Sequence, residues 1–452
     1  MSVPSPGLTY AQALRALEAR GRFGVRLGLG RTRALLRNLG DPQATVRGAL
    51  IAGTNGKGSV LALVDAALRS AGHRVGTTPK PHLVTYRERI QFDGRPIGAD
   101  DFARLVERVL SASDRIAGRH GQPTEFELLT AVVFARFAEV RPDVAIVEVG
   151  LGGRLDATHT WDGGVAAVTN VDLDHTDRLG STVTAIAREK AAIIERGDLA
   201  VTGARGDGLA VIRRRARRLG VPLTEVAPAP ILGWDRDGID VELPRLGRTR
   251  VGLRGRHQAA NVAIADALLD TLAEAGIART DGAARRAGYA AAEWPGRLEL
   301  LRIGDRDVLL DGAHNPAGAT ALAVALDDLR PFLTGGPLTI LTASMADKDI
   351  DGIVRALRAS GAMIGATIVC TGMDLARAMP AVELAARWGT GMSGLRVIVE
   401  PDPVAALDRV LSAPTAHSGP VVVAGSLYLV GAVRGILVDD PDLRDPDISE
   451  DR

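Results

Sequence analysis

Gly53-Thr54-Asn55-Gly56-Lys57-Gly58-Ser59 is the stretch whose reading decides the fold. It follows the apolar run Ala49-Leu50-Ile51-Ala52 and precedes Val60-Leu61-Ala62-Leu63-Val64-Asp65-Ala66-Ala67-Leu68, so it reads as buried strand, tight glycine loop, helix. That is the geometry of a phosphate cradle. Glycines let backbone N–H groups turn inward, the helix N-terminus adds partial positive charge, Lys57 adds a full one, and Ser59 offers a hydroxyl to Mg2+. The commoner loop has a glycine six residues before the lysine and Ser or Thr directly after it; here Ile51 and Gly58 hold those places.

The same pattern of strand, loop and helix recurs outward from this loop. Arg74-Val75-Gly76-Thr77-Thr78 leads into Pro79-Lys80-Pro81-His82-Leu83, where two prolines preclude a helix and leave a rigid loop at a strand end. The run Asp143-Val144-Ala145-Ile146-Val147-Glu148-Val149-Gly150 is a buried strand carrying one acid near its end, and a buried carboxylate needs a cation or a hydrogen-bond network. Position at the ligand-facing edge favours metal binding by Glu148. Leu151 to His159 forms a second glycine loop at that edge, and Val165 to Val171 is a further strand, ending in Asp172-Leu173-Asp174-His175. A lone histidine is commonly structural, but His175 beside two acids at a strand terminus is also a ligand candidate.

Other features leave alternatives open. Leu27-Gly28-Leu29-Gly30, with arginines on either side, is either a solvated surface connection or a clamp for an anion. Thr124-Glu125-Phe126-Glu127 is a capping box, and that reading suffices for it. Helices are expected from about Asp101 to Gly118 and from His257 to about Ala275, with a polar insertion between Gly233 and Arg254. After the turn Trp294-Pro295-Gly296-Arg297 the pattern restarts with strand Val308-Leu309-Leu310, the loop Asp311 to Pro316, and strands near 338–342, 366–371, 395–399 and 421–424.

At 452 residues the chain is expected to hold two or three domains. The expected fold is α/β: a doubly wound, mostly parallel sheet carrying the phosphate loop over residues 1–296, a smaller Rossmann-like α/β domain over 297–438, and a disordered acidic tail over 439–452. Lys+Arg 55 against Asp+Glu 54 gives net charge +1, so no global field draws the chain to nucleic acid or an anionic membrane. One cysteine, Cys370 in an apolar run, builds neither a disulfide framework nor a zinc site. Neither a leader nor a membrane span is read, because the most hydrophobic window, Pro420 to Val438, is broken by Gly425-Ser426, Gly431 and Arg434. A cytoplasmic monomer is expected.

With these residues in view, the chain resembles the folylpolyglutamate synthase and dihydrofolate synthase family within the Mur ligase superfamily. The stretches that carry the likeness, in order, are Gly53 to Ser59, Pro81-His82-Leu83 with Glu88-Arg89-Ile90, Glu148 to Asp156, Asp174-His175, Glu189-Lys190-Ala191, His257-Gln258 with Asn261, Pro295-Gly296-Arg297, Asp311 to Pro316, Met345 to Asp349 and Gly425 to Gly431. The resemblance implies an ATP-dependent amide ligase with Mg2+ as cofactor. ATP phosphorylates a carboxylate of dihydropteroate or a reduced folate, and the amine of L-glutamate displaces phosphate to form an amide.

By the same resemblance, Gly53, Thr54, Asn55, Gly56, Lys57, Gly58 and Ser59 hold ATP together with Asn261, Arg297 and Asp311. Glu148, His175, Ser59 and Lys190 as a carbamate hold metal, and Lys57, Lys190, His175 and His314 form the catalytic set. Leu27, Gly28, Leu29, Gly30, Thr124, Glu125, Phe126, Leu155, Asp156 and Ala157 surround the pterin-bearing substrate. Three positions depart from the family pattern. Pro79-Lys80 stands for Thr-Ser, whose serine ordinarily binds metal, so either the first magnesium is held otherwise or Lys80 reaches phosphate itself. His159 stands for an asparagine, and Ala192 for a glycine that a helix does not need. Rival readings are a cell-wall precursor ligase, which requires a separate N-terminal domain where only about fifty residues precede the loop, and an ATP-hydrolysing switch indifferent to glutamate.

Overall fold

Strand β1 (Gly48–Ala52) is wholly buried, and its Ala49, Leu50 and Ile51 leave no polar face. Such a run fits a parallel sheet covered on both sides. In the computed structural model, which describes residues 7–21, 28–389, 395–412 and 419–446, β1 is flanked on both edges by parallel partners. With β2 (Val75–Thr78), β3 (Gln91–Phe92), β4 (Arg95–Pro96), β5 (Val144–Glu148), β6 (Gly164–Val168), β7 (Leu199–Thr202) and β8 (Leu223–Glu225), it forms a sheet of order β4-β3-β2-β5-β1-β6-β7-β8. All neighbours from β2 to β8 are parallel, and β3 and β4 add an antiparallel edge.

The chain runs from β1 outward to β2 on one side and reaches β6 on the other. Strand order therefore reverses around β1, and the crevice at a reversal opens at the carboxyl ends of the strands. The loops there are Gly53 to Gly56, Pro79 to His82, Val149 to Asp156 and Asn170 to His175. One face of the sheet is covered by helices Ala99–His120 and Glu125–Val140, whose Phe102, Val106, Leu128, Val132 and Phe134 pack into one core with Leu50, Val147 and Val168. Asp100 and Asp101 in the first turn of the longer helix and Arg119 and His120 in its last complement the helix dipole.

Two compact units divide the chain: Met1–Pro228, Ala260–Gly288 and Asp440–Arg452 in the first, Ala229–Ala259 and Tyr289–Asp439 in the second. This differs from a single cut at 296, for local reasons. Helix Gln258–Glu274 brings Asn261 against the Gly56 backbone, and Gly288 lies so close to Ala67 that a Cβ would not fit, so residues 260–288 complete the first unit. Residues 229–259 instead form β9 (Ile231–Asp235), β10 (Gly238–Leu243) and β11 (Gly247–Val251), an antiparallel sheet tied to the second unit through Arg236, whose guanidinium lies 2.6 Å from Asp307. The polar insertion read from the sequence is this sheet.

The second unit has its own sheet. The strands β12 (Glu299–Ile303), β13 (Arg306–Leu310), β14 (Thr339–Thr342), β15 (Thr367–Cys370), β16 (Arg396–Val399) and β17 (Val421–Ala424) follow the order β12-β13-β17-β14-β15-β16, parallel except for the β12 edge. Leu309, Ile340, Ile368, Val422, Leu326 and Trp388 lie in its core. The acidic tail is ordered at its start, contrary to expectation. Pro441–Leu443 form a 3-10 turn, and Asp445 accepts hydrogen bonds from Thr85 Oγ1 at 2.7 Å and Arg87 Nε at 3.0 Å. Charge pairing with Arg87 offsets the acidity that suggested disorder; residues 447–452 lie outside the described part.

Candidate active site at the carboxyl edge of the first sheet

Gly56 sits at φ +80, a left-handed conformation that favours glycine, and starts helix Lys57–Ser70 with no side-chain cap. The first N–H groups of that helix are therefore left for a ligand. The loop before it is pinned from 115 residues away. Asn170, just past β6, accepts from Asn55 N at 2.8 Å and Thr54 N at 3.2 Å through Oδ1, while Thr169 Oγ1 donates to Asn55 O at 2.7 Å. Asn170 had no assigned role in the sequence reading. Its only sequence signal is a polar side chain at the same strand edge as the glycine loop.

Lys57 Nζ donates to Gly53 O (3.1 Å) and Thr54 O (3.2 Å) and lies 3.9 Å from Glu148 Oε1. Glu148, the last residue of β5 and 3% exposed, also accepts the Lys80 backbone N–H at Oε2 (2.9 Å), and the Lys80 ammonium reaches the Glu148 carbonyl at 2.5 Å. Burial pushes Lys80 down to about 8, against the pull of Asp156 and Glu148. Lys190, 4% exposed, donates to Gly53 O at 2.9 Å; burial and the neighbouring Lys57 charge push it down to about 7. Glu148, Lys57, Lys190, Ser59 and Asn261 thus gather around the phosphate loop.

His175 is less closely held. It stands at the N-cap position of the short helix Thr176–Leu179 at φ +49 without a side-chain cap, its side chain is 43% exposed, and its Nε2 is 3.9 Å from Asp174 Oδ2. Among the described residues, no three His, Cys, Asp or Glu side chains group as a metal cage. A magnesium that accompanies polyphosphate needs only one or two carboxylates, the rest of its shell being phosphate and water oxygens. The buried Glu148 beside the loop fits that demand, with the Ser59 hydroxyl in the first turn of the helix. An imidazole is the least suited member of the expected set.

Next to Glu148 lies a wall of the first unit built by Phe126, over whose ring the Lys80 ammonium stands at 5.1 Å. The capping box is present: Thr124 Oγ1 accepts from Glu127 N, and Glu127 Oε2 accepts from Thr124 N. Glu127 does more than cap, since Arg31 Nε at 3.1 Å and Thr32 Oγ1 at 3.3 Å also donate to it, which sets Gly28 to Gly30 beside Thr124 to Phe126. Leu27 lies outside the described residues. Asp156 is committed to the loop itself, Oδ2 accepting from Gly150 N and Leu151 N and Oδ1 from Thr158 N and Oγ1. It positions Leu155 and Ala157. Glu125 accepts from Tyr86 O–H at 3.0 Å. His82, whose ring is tilted against that of Tyr86 with centroids 4.3 Å apart, accepts from Arg89 Nε at 2.8 Å, and burial together with that guanidinium pushes it down to about 3.

In the second unit, Asp311 follows β13 and is 8% exposed. It accepts from Leu298 N and Ala313 N, each at 2.9 Å, and burial raises it against the charge of Arg297. Arg297 crowds the Gly312 backbone, and His314 Nδ1 donates to Gly312 O at 2.7 Å. These three expected residues form one cluster within that unit.

Family models match in two parts, the Mur ligase middle domain over residues 51–227 and the dihydrofolate synthetase C-terminal domain over residues 298–436. Dihydrofolate synthase/folylpolyglutamate synthase from Bacillus subtilis (strain 168) is 32% identical over 437 residues, covering 94% of this chain and 98% of that protein. The chain belongs to the dihydrofolate synthase/folylpolyglutamate synthase family. The Mycobacterium tuberculosis member is 37% identical over 455 residues, covering 91% of this chain and 90% of that one. The structure of Mycobacterium tuberculosis folylpolyglutamate synthase complexed with ADP and AMPPCP aligns with a TM-score of 0.83 at 33% identity, covering 96% of this chain and all of that one. The E. coli protein in complex with DHPP and ADP aligns at 0.80 and 28% identity over 95% and 99%. As a member of this family of Mur-type ligases, the chain is an ATP-dependent enzyme that forms carbon–nitrogen bonds.

Proposed function

We propose that the chain joins L-glutamate to dihydropteroate, to a reduced folate, or to both, through an acyl phosphate. The observation that carries this reading is the uncapped, Asn170-pinned loop with Lys57 and the buried Glu148 3.9 Å apart at its mouth. A carboxylate oxygen of the acceptor attacks the γ-phosphorus of ATP, forming one O–P bond as the bond to ADP breaks. The glutamate amine then attacks the acyl carbon, phosphate leaves, and the amine gives up a proton.

The roles of this chain's residues follow from where their charges lie. The N–H groups of the loop and the Lys57 ammonium hold the phosphates, favouring the charge that spreads over the transferring group. Glu148, Ser59, His175 and Lys190 as a carbamate would hold Mg2+, which when bound neutralises phosphate charge. A buried Lys190 beside a second ammonium is disposed to exist as the amine that carbamate formation requires. Gly28 to Gly30, Thr124 to Phe126 and Leu155 to Ala157 would line the acceptor site. Asn261, Arg297 and Asp311 would serve ATP, and His314 would take the amine proton.

We further read the protein as a cytoplasmic monomer acting on small molecules without nucleic acid. The net charge of +1 gives no global field that would draw the chain to nucleic acid, and no described helix is long and apolar enough to cross a membrane. The deciding assay is phosphate release with ATP, Mg2+ and glutamate in the presence of dihydropteroate, tetrahydrofolate or neither, with mass spectrometry of the products. A glutamate-dependent product heavier by one glutamyl unit assigns the acceptor. Release indifferent to glutamate and to both pterins removes the folate-acceptor reading.

A further inference from the structure

Lys80 has no place in the mechanism above, yet its side chain is among the most constrained at the site. Pro79 and Pro81 fix the backbone on either side of it. Its N–H is bound to Glu148 Oε2 at 2.9 Å and its ammonium to the Glu148 carbonyl at 2.5 Å, so the residue wraps the end of β5 from carboxylate to main chain. The ammonium also stands over the Phe126 ring at 5.1 Å, on the side of the expected acceptor site. A structural tether would need only the N–H bond; an ammonium brought to this edge adds a full charge beside that of Lys57.

The two carboxylate oxygens of Glu148 therefore face different partners. Oε1 looks toward Lys57 at 3.9 Å, where phosphates are expected, whereas Oε2 is occupied by the Lys80 N–H. A divalent ion approaching from the Oε2 side would meet an oxygen already bonded to an N–H and a fixed ammonium nearby. Both oppose it, the second by like-charge repulsion in a site of low dielectric. The Oε1 side is the one that faces the phosphate loop through Lys57, where an ion would share its shell with phosphate oxygens.

We propose that the Lys80 ammonium is a built-in monovalent cation of the reaction centre, which contacts the oxygens of the transferring phosphoryl group on the acceptor side and leaves Glu148 able to hold a single divalent ion. This rests on the ATP-dependent reading of the site, but not on the identity of the acceptor. The chemistry is balanced without further reagents, because Lys80 supplies charge and hydrogen bonds and transfers no proton.

The experiment counts metal directly. Mn2+ bound per chain is measured by electron paramagnetic resonance with the nonhydrolysable analogue AMPPCP, in the wild type and in Lys80→Ser, Lys80→Met and Lys80→Arg. One Mn2+ per chain is expected in the wild type and in Lys80→Arg, and two in Lys80→Ser, where a hydroxyl replaces the ammonium. Phosphate release in Lys80→Met should fall about a hundredfold in kcat with the KM for ATP within a few-fold, as for loss of one preorganised charge on a transition state; Lys80→Arg should recover most of it. Two Mn2+ ions in the wild type, or a Lys80→Met enzyme with unchanged kcat, would overturn the proposal. If Lys80→Ser does not fold, the wild-type count and the comparison of Met with Arg still decide. A wild type that binds no Mn2+ with AMPPCP sinks both this proposal and the nucleotide reading, whereas a count of one with no glutamate-dependent turnover sinks the folate reading alone.

Discussion

The Gly53–Ser59 loop of the first unit and the Asp311–Pro316 loop of the second occupy equivalent places, each leading from the carboxyl end of a parallel strand into a helix. They solve the helix N-terminus differently. Gly56 offers helix Lys57–Ser70 no side-chain cap, and the loop is held by Asn170 from another strand. Asn315 caps helix Pro316–Leu329 with its own Oδ1, 2.8 Å from Gly318 N, and Asp311 pins its loop locally through Leu298 N and Ala313 N. An uncapped N-terminus braced from outside keeps its donors for an anion; a self-capped one has spent them on stability. The charges agree, with Lys57, Lys80 and Lys190 around the first loop and Asp311, Arg297 and His314 around the second.

The contrast can be broken most severely at Lys57. Lys57→Met is expected to lower kcat for glutamate-dependent phosphate release by about 10³-fold while leaving the thermal transition within a degree or two. The second effect in size concerns pH. Burial works to raise Asp307, but Arg236, the Thr334 amide and Arg302 outweigh it and hold the carboxyl down at about 2. A carboxyl held below its unfolded value adds stability that is fully present above about pH 4 and is lost as pH falls through about 2. For the second unit that amounts to about 2 kcal/mol. Urea melts followed by fluorescence of the buried Trp388 should show this slope in the wild type and none in Asp307→Asn.

A smaller effect tests the external brace. Asn170→Ala leaves the Thr54 and Asn55 N–H groups without their side-chain acceptor, so a loss of about 1–2 kcal/mol is expected. It should come with a KM for ATP raised several-fold, read in steady-state kinetics. Asn315→Ala is the mildest change. It should cost about 1 kcal/mol in the second unit's melt and leave the affinity for AMPPCP, measured by calorimetry, unaltered. Equal effects of the two asparagines on nucleotide affinity would erase the distinction between the loops.

The strand, glycine loop and helix at residues 49–68 were legible because three local signals coincide there: an apolar run, glycine spacing and a helical period. Asn170 was not, since its importance is a tertiary contact across 115 residues that no local pattern encodes. Asp156 was legible as part of the second glycine loop but not as its organiser; only the geometry shows both oxygens turned back onto Gly150, Leu151 and Thr158. The second unit's parallel strands were visible as apolar runs. Its antiparallel edge β12 was not, because Leu300-Leu301-Arg302 is short and only half buried. Acidity alone made the tail look disordered, although the buried Arg87 and Thr85 together seat Asp445.

That seat has a consequence for how the protein is made. Arg87 and Asp445 are 358 residues apart, and at ordinary translation speeds roughly 20–70 s separate their emergence from the ribosome. The β1-centred sheet has all its strands long before then. The Thr85–Arg87 turn, which leads from the Lys80 loop back into β3, waits for a partner made after every strand from β1 to β17, so a nascent chain stalled after β17 would carry a phosphate loop while that turn still lacked Asp445.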